Sequence, residues 1–187
     1  AYEDPDIIAG QGTCGLEIAN QLPDADYVIG AIGGGGLMAG VGIALKGSNY
    51  PAKLIGCQAE GASSMVQSFA KGESVASDSV DTFADGVAVQ AASEKMRQIL
   101  VEALDDVQSA SDPEIAAAVL GLLEKAKVVS EGAGAIPLAV LYGMREQIKG
   151  KKVVLIVSGG NIDVSILSRI IDLGLIRTGR RIRMSVF

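Results

Sequence analysis

The stretch Tyr27-Val-Ile-Gly-Ala-Ile-Gly-Gly-Gly-Gly-Leu-Met-Ala-Gly40 constrains this chain more than any other. A run of apolar residues that is β-branched at Val28 and Ile29 reads as a buried strand. Gly33–Gly36 follow with no side chain at all, and small-residue helix pattern resumes at Leu37. Four bare residues between a buried strand and a helix let the backbone approach an anion closely. Their N–H groups are then free to point at it, and the helix adds its positive end. A plain flexible bend is the bland alternative, but each glycine in such a turn weakens the fold entropically. The turn therefore reads as a phosphate cradle. It lacks both the G-x-G-x-x-G spacing and the lysine of a P-loop, because Leu37 and Met38 stand where that lysine would be.

A second apolar run, Val153–Val157, leads into Ser158-Gly159-Gly160-Asn161. Alone, this is equally a tight strand-to-helix turn capped by Asn161 or a place where the Ser158 hydroxyl meets a ring nitrogen. Two such turns suggest two sides of one site.

Further strands are expected at Lys53–Gln58 and Asp106–Ser109. Helices are expected at Thr13–Gln21 with Thr13 as N-cap, Leu37–Lys46, Ala62–Lys71 stopped by Gly72, and Ser93–Glu102. Others are expected from Asp112, as N-cap, to about Lys125, at Gly134–Tyr142, and at Ile162–Leu173 stopped by Gly174. Val75–Gln90 reads as loop. Strands alternating with helices predict an α/β fold with a doubly wound, mainly parallel sheet, whose ligands bind at the carboxyl ends of the strands.

Composition narrows the function. The chain has 187 residues, is 49% hydrophobic and carries a net charge of −6, which disfavours nucleic acid as a partner. Histidine is absent, and Cys14 and Cys57 have no metal spacing, so no His triad, zinc site or disulfide framework is expected. No apolar run reaches the ~20 residues that span a bilayer, and no signal peptide opens the chain. A cytoplasmic protein without nucleic-acid or membrane partners is the expectation. The sequence opens without Met in what reads as a mid-protein loop. It closes on Arg183–Phe187, which reads as the start of a strand. A piece of a longer protein is expected.

Five motifs in register carry a resemblance over the whole chain: Ala9-Gly10-Gln11-Gly12-Thr13, Gly33–Gly36-Leu37, Ala84-Asp85-Gly86-Val87, Glu131-Gly132-Ala133-Gly134 and Ser158-Gly159-Gly160-Asn161. Read singly, the first could be a helix entry, Asp85-Gly86 a turn and Glu131 a solvated carboxylate. Together they resemble the fold-type II pyridoxal phosphate enzymes, and within them the threonine dehydratase branch. Serine racemases and serine dehydratases are neighbouring branches. The resemblance implies that Gly33, Gly34, Gly35, Gly36 and Leu37 hold the phosphate of pyridoxal 5'-phosphate. Ser158 would meet its pyridine nitrogen, with Gly159 and Asn161 shaping that pocket. Gln11 and Gly12 would lie at the substrate face, and Glu131 beside the site. A neutral hydroxyl at the ring nitrogen makes the cofactor a weaker electron sink than a carboxylate would, which suits β-elimination from a hydroxy amino acid. An amino-acid substrate and a homo-oligomer are implied. So are residues 1–174 as the C-terminal part of a catalytic domain, and 175–187 as a linker towards a regulatory ACT domain.

The sequence departs from the pattern twice. Such enzymes anchor the cofactor on a lysine near an N-terminal Ser-x-Lys motif, and the first part of this chain has none; its one Ser-x-Lys, Ser93-Glu94-Lys95, falls in mid-chain. Its nine lysines, at 46, 53, 71, 95, 125, 127, 149, 151 and 152, read as solvated positions, so no catalytic residue is expected in this chain and it should be inactive alone. In the racemase branch a Glu and an Asp help bind a divalent ion. Here Gln58 and Ser64 stand at those positions, so no divalent-metal site is expected, and a monovalent ion stays open.

Overall fold

The computed structural model describes residues 2–91, 93–182 and 184. Four strands, β1 (Tyr27–Ala31), β2 (Lys53–Ala59), β3 (Asp106–Ala110) and β4 (Val153–Leu155), form a sheet of order β3-β2-β1-β4. All three pairings are parallel. Ile29 lies opposite both Ile55 and Leu155, which fixes the register around β1. Among the described residues seven α-helices surround it: α1 (Pro5–Gln21), α2 (Gly36–Gly47), α3 (Ser64–Lys71), α4 (Glu94–Ala103), α5 (Asp112–Gly121), α6 (Gly132–Gly143) and α7 (Val164–Arg177). The doubly wound α/β architecture expected from the sequence is what these residues adopt.

Alternation along the strands sends side chains to two cores. Val28, Leu54 and Ile156 join Ile8, Met38, Val41 and Leu45 on the α1–α2 face. Ile29, Ile55 and Cys57 join Ile115, Val119, Ile136 and Ile170 on the α5–α6–α7 face. Each large side chain so buried contributes roughly 1.5–3 kcal/mol. Burial pushes the Cys57 thiol well above the usual range, and it donates to the Gly30 carbonyl at 3.2 Å. Among the described residues no helix is long and apolar enough to cross a membrane.

Several expected boundaries move. α1 begins eight residues before Thr13. Asp4 is its N-cap, its carboxylate accepting from Asp6 N at 2.9 Å, and Thr13 sits in mid-helix, donating to the Gly10 carbonyl. Gly12 has a low intrinsic helix propensity. Tertiary packing overrides that propensity, because a Cβ on Gly12 would lie 3.3 Å from the Gly40 carbonyl oxygen of α2, and one on Gly40 would clash with the Ile8 carbonyl. Ser111, not Asp112, caps α5. It forms a capping box with Glu114, whose carboxylate accepts from Ser111 N at 3.0 Å and Ser111 Oγ at 2.7 Å. That helix gives way after Gly121 to a wider π turn over Leu122–Ala126, closed by Lys127 at φ 60°. α7 starts at Val164 with Asp163 at its N-cap, so Asn161 caps nothing. It runs through Gly174, which is buried against the Ala116 carbonyl of α5 rather than ending the helix. α7 therefore runs on to Arg177, three residues past the expected stop at Gly174. The strand expected at Arg183–Phe187 lies, Met184 apart, outside the described residues.

Candidate functional site

β1 and β4 are neighbours, yet the chain leaves β1 through α2 on one face and enters β4 from α6 on the other. The sheet order reverses direction between them. In open parallel sheets that crevice, outside the carboxyl ends of the strands, is where ligands bind. Both glycine turns open into it: Gly33–Gly36 after β1 and Ser158–Asn161 after β4.

A cavity of about 270 Å³ occupies the crevice. Gly33, Gly34, Gly35, Gly36 and Leu37 form one wall. Gln11 and Ile7 of α1, Gly86, Val87, Glu131, Ala133 and Ser158 complete most of the rest. Ile7 and Gln11 are one helical turn apart and share the cavity face. Gly12, one residue on, is rotated by ~100° and packs on α2 instead. Of the two residues expected at the substrate face, Gln11 lines this cavity and Gly12 does not.

The first turn has the properties of an anion site. Among the described residues, nothing accepts a hydrogen bond from the backbone N–H of Gly33, Gly34, Gly35, Gly36 or Leu37. Gly35 and Gly36 are buried, and these donors open the 12-residue helix α2, so the helix dipole adds to them. Orphaned donors at a buried helix start call for an acceptor. The turn is also tightly wedged. A Cβ on Gly33 would lie 2.7 Å from the Gly86 carbonyl oxygen, and one on Gly36 would lie 2.7 Å from the Tyr2 carbonyl oxygen. Gly34 lies against the Tyr2 ring, and Gly35 has φ 98° with Met96 close by. The amides thus fit a phosphate, and the exposed Ser158 hydroxyl in the same cavity fits a polar ring atom.

The second turn divides. Ser158 faces the first cavity. Asn161 lines a second cavity of about 220 Å³, with Asp85, Glu131, Asp163 and Phe83, so it does not shape the pocket that holds Ser158. Glu131 forms a wall of both cavities, its carboxylate packed against Gly159 and near Gly86. Gly159 supports the turn through its carbonyl, which accepts from Glu131 N at 3.1 Å and from the buried Ser130 hydroxyl at 3.3 Å. The loop that brings Gly86 and Val87 to the cavity wall is held by Asp112. Its carboxylate accepts from Thr82 Oγ1 at 2.6 Å and Phe83 N at 3.0 Å, which places Gly86 over Gly33.

Tyr2, Ile7, Val87 and Ala133 line the cavity without having been singled out as site residues. The i, i+4 spacing of Ile7 and Gln11 was the available signal. Tyr2 offers none, because it reaches the glycine turn only through the fold. All nine lysines are exposed, and none lines either cavity. Groups of three or more metal-ligating side chains are absent among the described residues. Gln58 and Ser64 are both buried. The Gln58 carboxamide is bonded to main chain on both its oxygen and its nitrogen.

The chain's similarities agree with this geometry. Residues 1–159 match the family model described as pyridoxal-phosphate dependent enzyme. The L-threonine ammonia-lyase of Thermotoga maritima is 43% identical over 186 residues, covering 100% of this chain and 46% of that protein. The processed form of threonine deaminase isoform 2 from Solanum lycopersicum superposes with a TM-score of 0.86 at 38% identity, over 91% of this chain and 50% of that one. Maize serine racemase superposes with a TM-score of 0.79 at 34% identity, over 87% and 52%. The chain thus spans about half the length of the relatives it matches. With most of its length matched by that model, and with an anion cradle and a facing hydroxyl at the sheet's switch point, the chain belongs to the pyridoxal-phosphate dependent enzyme family.

Proposed function

We propose that this chain is the cofactor-side portion of a threonine ammonia-lyase, which converts L-threonine to 2-oxobutanoate and ammonia by β-elimination. The observation that carries this reading is the set of unpaired amides at Gly33–Leu37, set beside Ser158 across the β1–β4 crevice. In it, those five amides grip the phosphate of pyridoxal 5'-phosphate and Ser158 Oγ meets its pyridine nitrogen. When bound, that group supplies a sink for the electrons left at the substrate Cα. Ser158 limits the sink, because a neutral hydroxyl does not hold a ring nitrogen protonated as a carboxylate does. Short-lived charge at Cα then favours prompt loss of the β-hydroxyl. Val87, Ala31 and Ala133 keep one side of the cavity apolar, and Gln11 offers an amide to the substrate.

The nine exposed lysines are poorly placed to anchor a cofactor in the crevice. The anchoring lysine, which also serves as the base at Cα, is therefore read as belonging to polypeptide outside these residues. The parent enzyme is read as a cytoplasmic homo-oligomer, and the 187 residues alone as inactive. The similarity to maize serine racemase favours a second reading, a serine racemase or dehydratase. Gln58 weighs against the racemase, since its oxygen already takes two main-chain amides and it carries no charge to offer a divalent ion.

The product decides. The protein at its natural length, supplied with pyridoxal phosphate, is assayed for 2-oxobutanoate from L-threonine beside D-serine from L-serine. Predominant 2-oxobutanoate is the expected result, and predominant D-serine assigns the racemase. Neither product, with the phosphate still bound, leaves a non-catalytic anion-binding module.

A further inference from the structure

We infer that Gln58 is a positioning residue of the anion cradle: it fixes the Ile32–Gly33 peptide plane and so aims and polarises the first cradle amide. This rests on the reading of Gly33–Leu37 as the phosphate site. Gln58 is fully buried in β2, yet its side chain makes no contact with substrate space. Its Oε1 accepts from Met65 N at 2.8 Å and Val66 N at 3.1 Å, both in the first turn of α3. Its Nε2 donates to the Ile32 carbonyl at 3.3 Å. Only this orientation of the carboxamide serves all three partners.

Two consequences follow from where those partners lie. The N-cap residue of α3, Ser63, makes no side-chain capping bond, so Gln58 does the capping from another strand. Ile32 is the last residue before the glycines, and β1 pairs with β2 only as far as Ala31 opposite Cys57. Ile32 is then held twice by β2, through its N–H on the Cys57 carbonyl at 2.7 Å and its carbonyl on Gln58. The Ile32 carbonyl and the Gly33 N–H belong to one planar peptide unit, so fixing the first fixes the direction of the second. Donation to that carbonyl also draws charge from the peptide and strengthens its N–H as a donor. The positive end of α3 polarises the carboxamide in the same sense. The result is a relay from the α3 amides, through the Gln58 carboxamide and the Ile32–Gly33 peptide, to whatever anion Gly33 meets.

The test compares Gln58→Glu with Ser64→Ala at a pH where the carboxylate infrared band shows the buried glutamate ionised, since burial raises a carboxyl above its ordinary range. The glutamate keeps both acceptor bonds to α3 but turns a donor facing Ile32 into an acceptor. Ser64→Ala removes only the hydroxyl that donates to the Val89 carbonyl at 3.4 Å. Isotope-labelled protein of natural length, freed of pyridoxal phosphate, is titrated with inorganic phosphate, and the backbone amide signals are followed. In the unaltered protein, Gly33–Leu37 are expected to shift. Gln58→Glu should raise the phosphate dissociation constant about tenfold and shrink the Gly33 shift more than the Gly35 shift. Ser64→Ala should change neither. Unchanged phosphate affinity in Gln58→Glu, with Gly33 still shifting, overturns the inference and leaves Gln58 as a helix cap only. No shift at Gly33–Leu37 in the unaltered protein refutes the phosphate reading instead. If Gln58→Glu does not fold, the Gln58 side-chain amide signal of the unaltered protein decides. It should move in step with Gly33 on adding phosphate, and a stationary signal beside a moving Gly33 overturns the inference.

Discussion

The two glycine turns look alike in sequence and differ in physics. Gly33–Gly36 is fixed from every side: the Gly86 carbonyl, the Tyr2 ring and carbonyl, Met96, and a left-handed residue at Gly35. It opens directly into α2 and offers a row of unpaired donors. Gly159 and Gly160 have no left-handed φ. They are small because Glu131 and the Val129 carbonyl come close. That turn opens no helix, since α7 begins only at Val164, and what it offers the cavity is one hydroxyl. On the proposed reading the first turn serves a full negative charge and the second a neutral ring atom. Glycine count alone does not tell them apart.

Substitutions break or sharpen that contrast. Gly35→Val should have the largest effect, about 4 kcal/mol, from left-handed backbone strain plus a Cβ meeting Met96 Cγ at 2.7 Å. Denaturant unfolding reads this, and phosphate binding should be lost with it. Asp112→Ala should cost about 2 kcal/mol by orphaning the Phe83 amide and Thr82 hydroxyl. It should also loosen Gly86 over Gly33, seen as faster amide exchange across residues 83–87. Gly159→Ala should cost only about 1 kcal/mol. Its Cβ would meet the end of the Glu131 side chain, which can swing, rather than fixed backbone. If Gly159→Ala proves as damaging as Gly35→Val, the distinction between the turns is wrong.

The smallest effect is electrostatic. The Ser111 amide and hydroxyl, and then Arg177, hold the Glu114 carboxyl below its usual range. A lowered folded value stabilises the protein at pH above the ordinary carboxyl range of ~4.3, and that contribution is lost as pH falls through the lowered value. Glu114 is partly exposed, so the contribution is below ~1 kcal/mol. Glu114→Gln should leave a flatter decline of stability with acid below about pH 4.3, read from urea midpoints.

Much of this was legible because it is local. A buried apolar run followed by glycines gives strand and turn without knowledge of the rest, and alternation gave the two-faced sheet. What was not legible depends on contacts distant in sequence. Gly12 and Gly174 read as a site residue and a helix stop, yet both are small to admit a neighbouring helix backbone. Asp112 has the chemistry of a cap, but a residue with Ser111 before it and Thr82 within reach is free to hold the loop instead. Asn161 follows Ser158 by three residues, and the turn between them sends the two into different cavities. Gln58 stood out only as an uncharged residue where relatives in one branch hold a charge. Its bonds to Ile32 and α3 belong to the folded chain.

A crystal structure of the natural-length protein with pyridoxal phosphate tests the central claim most directly. The phosphate oxygens should lie within hydrogen-bonding distance of the amides of Gly33–Leu37, with the pyridine nitrogen at Ser158 Oγ. A phosphate bound elsewhere, with those amides turned to water, would contradict it.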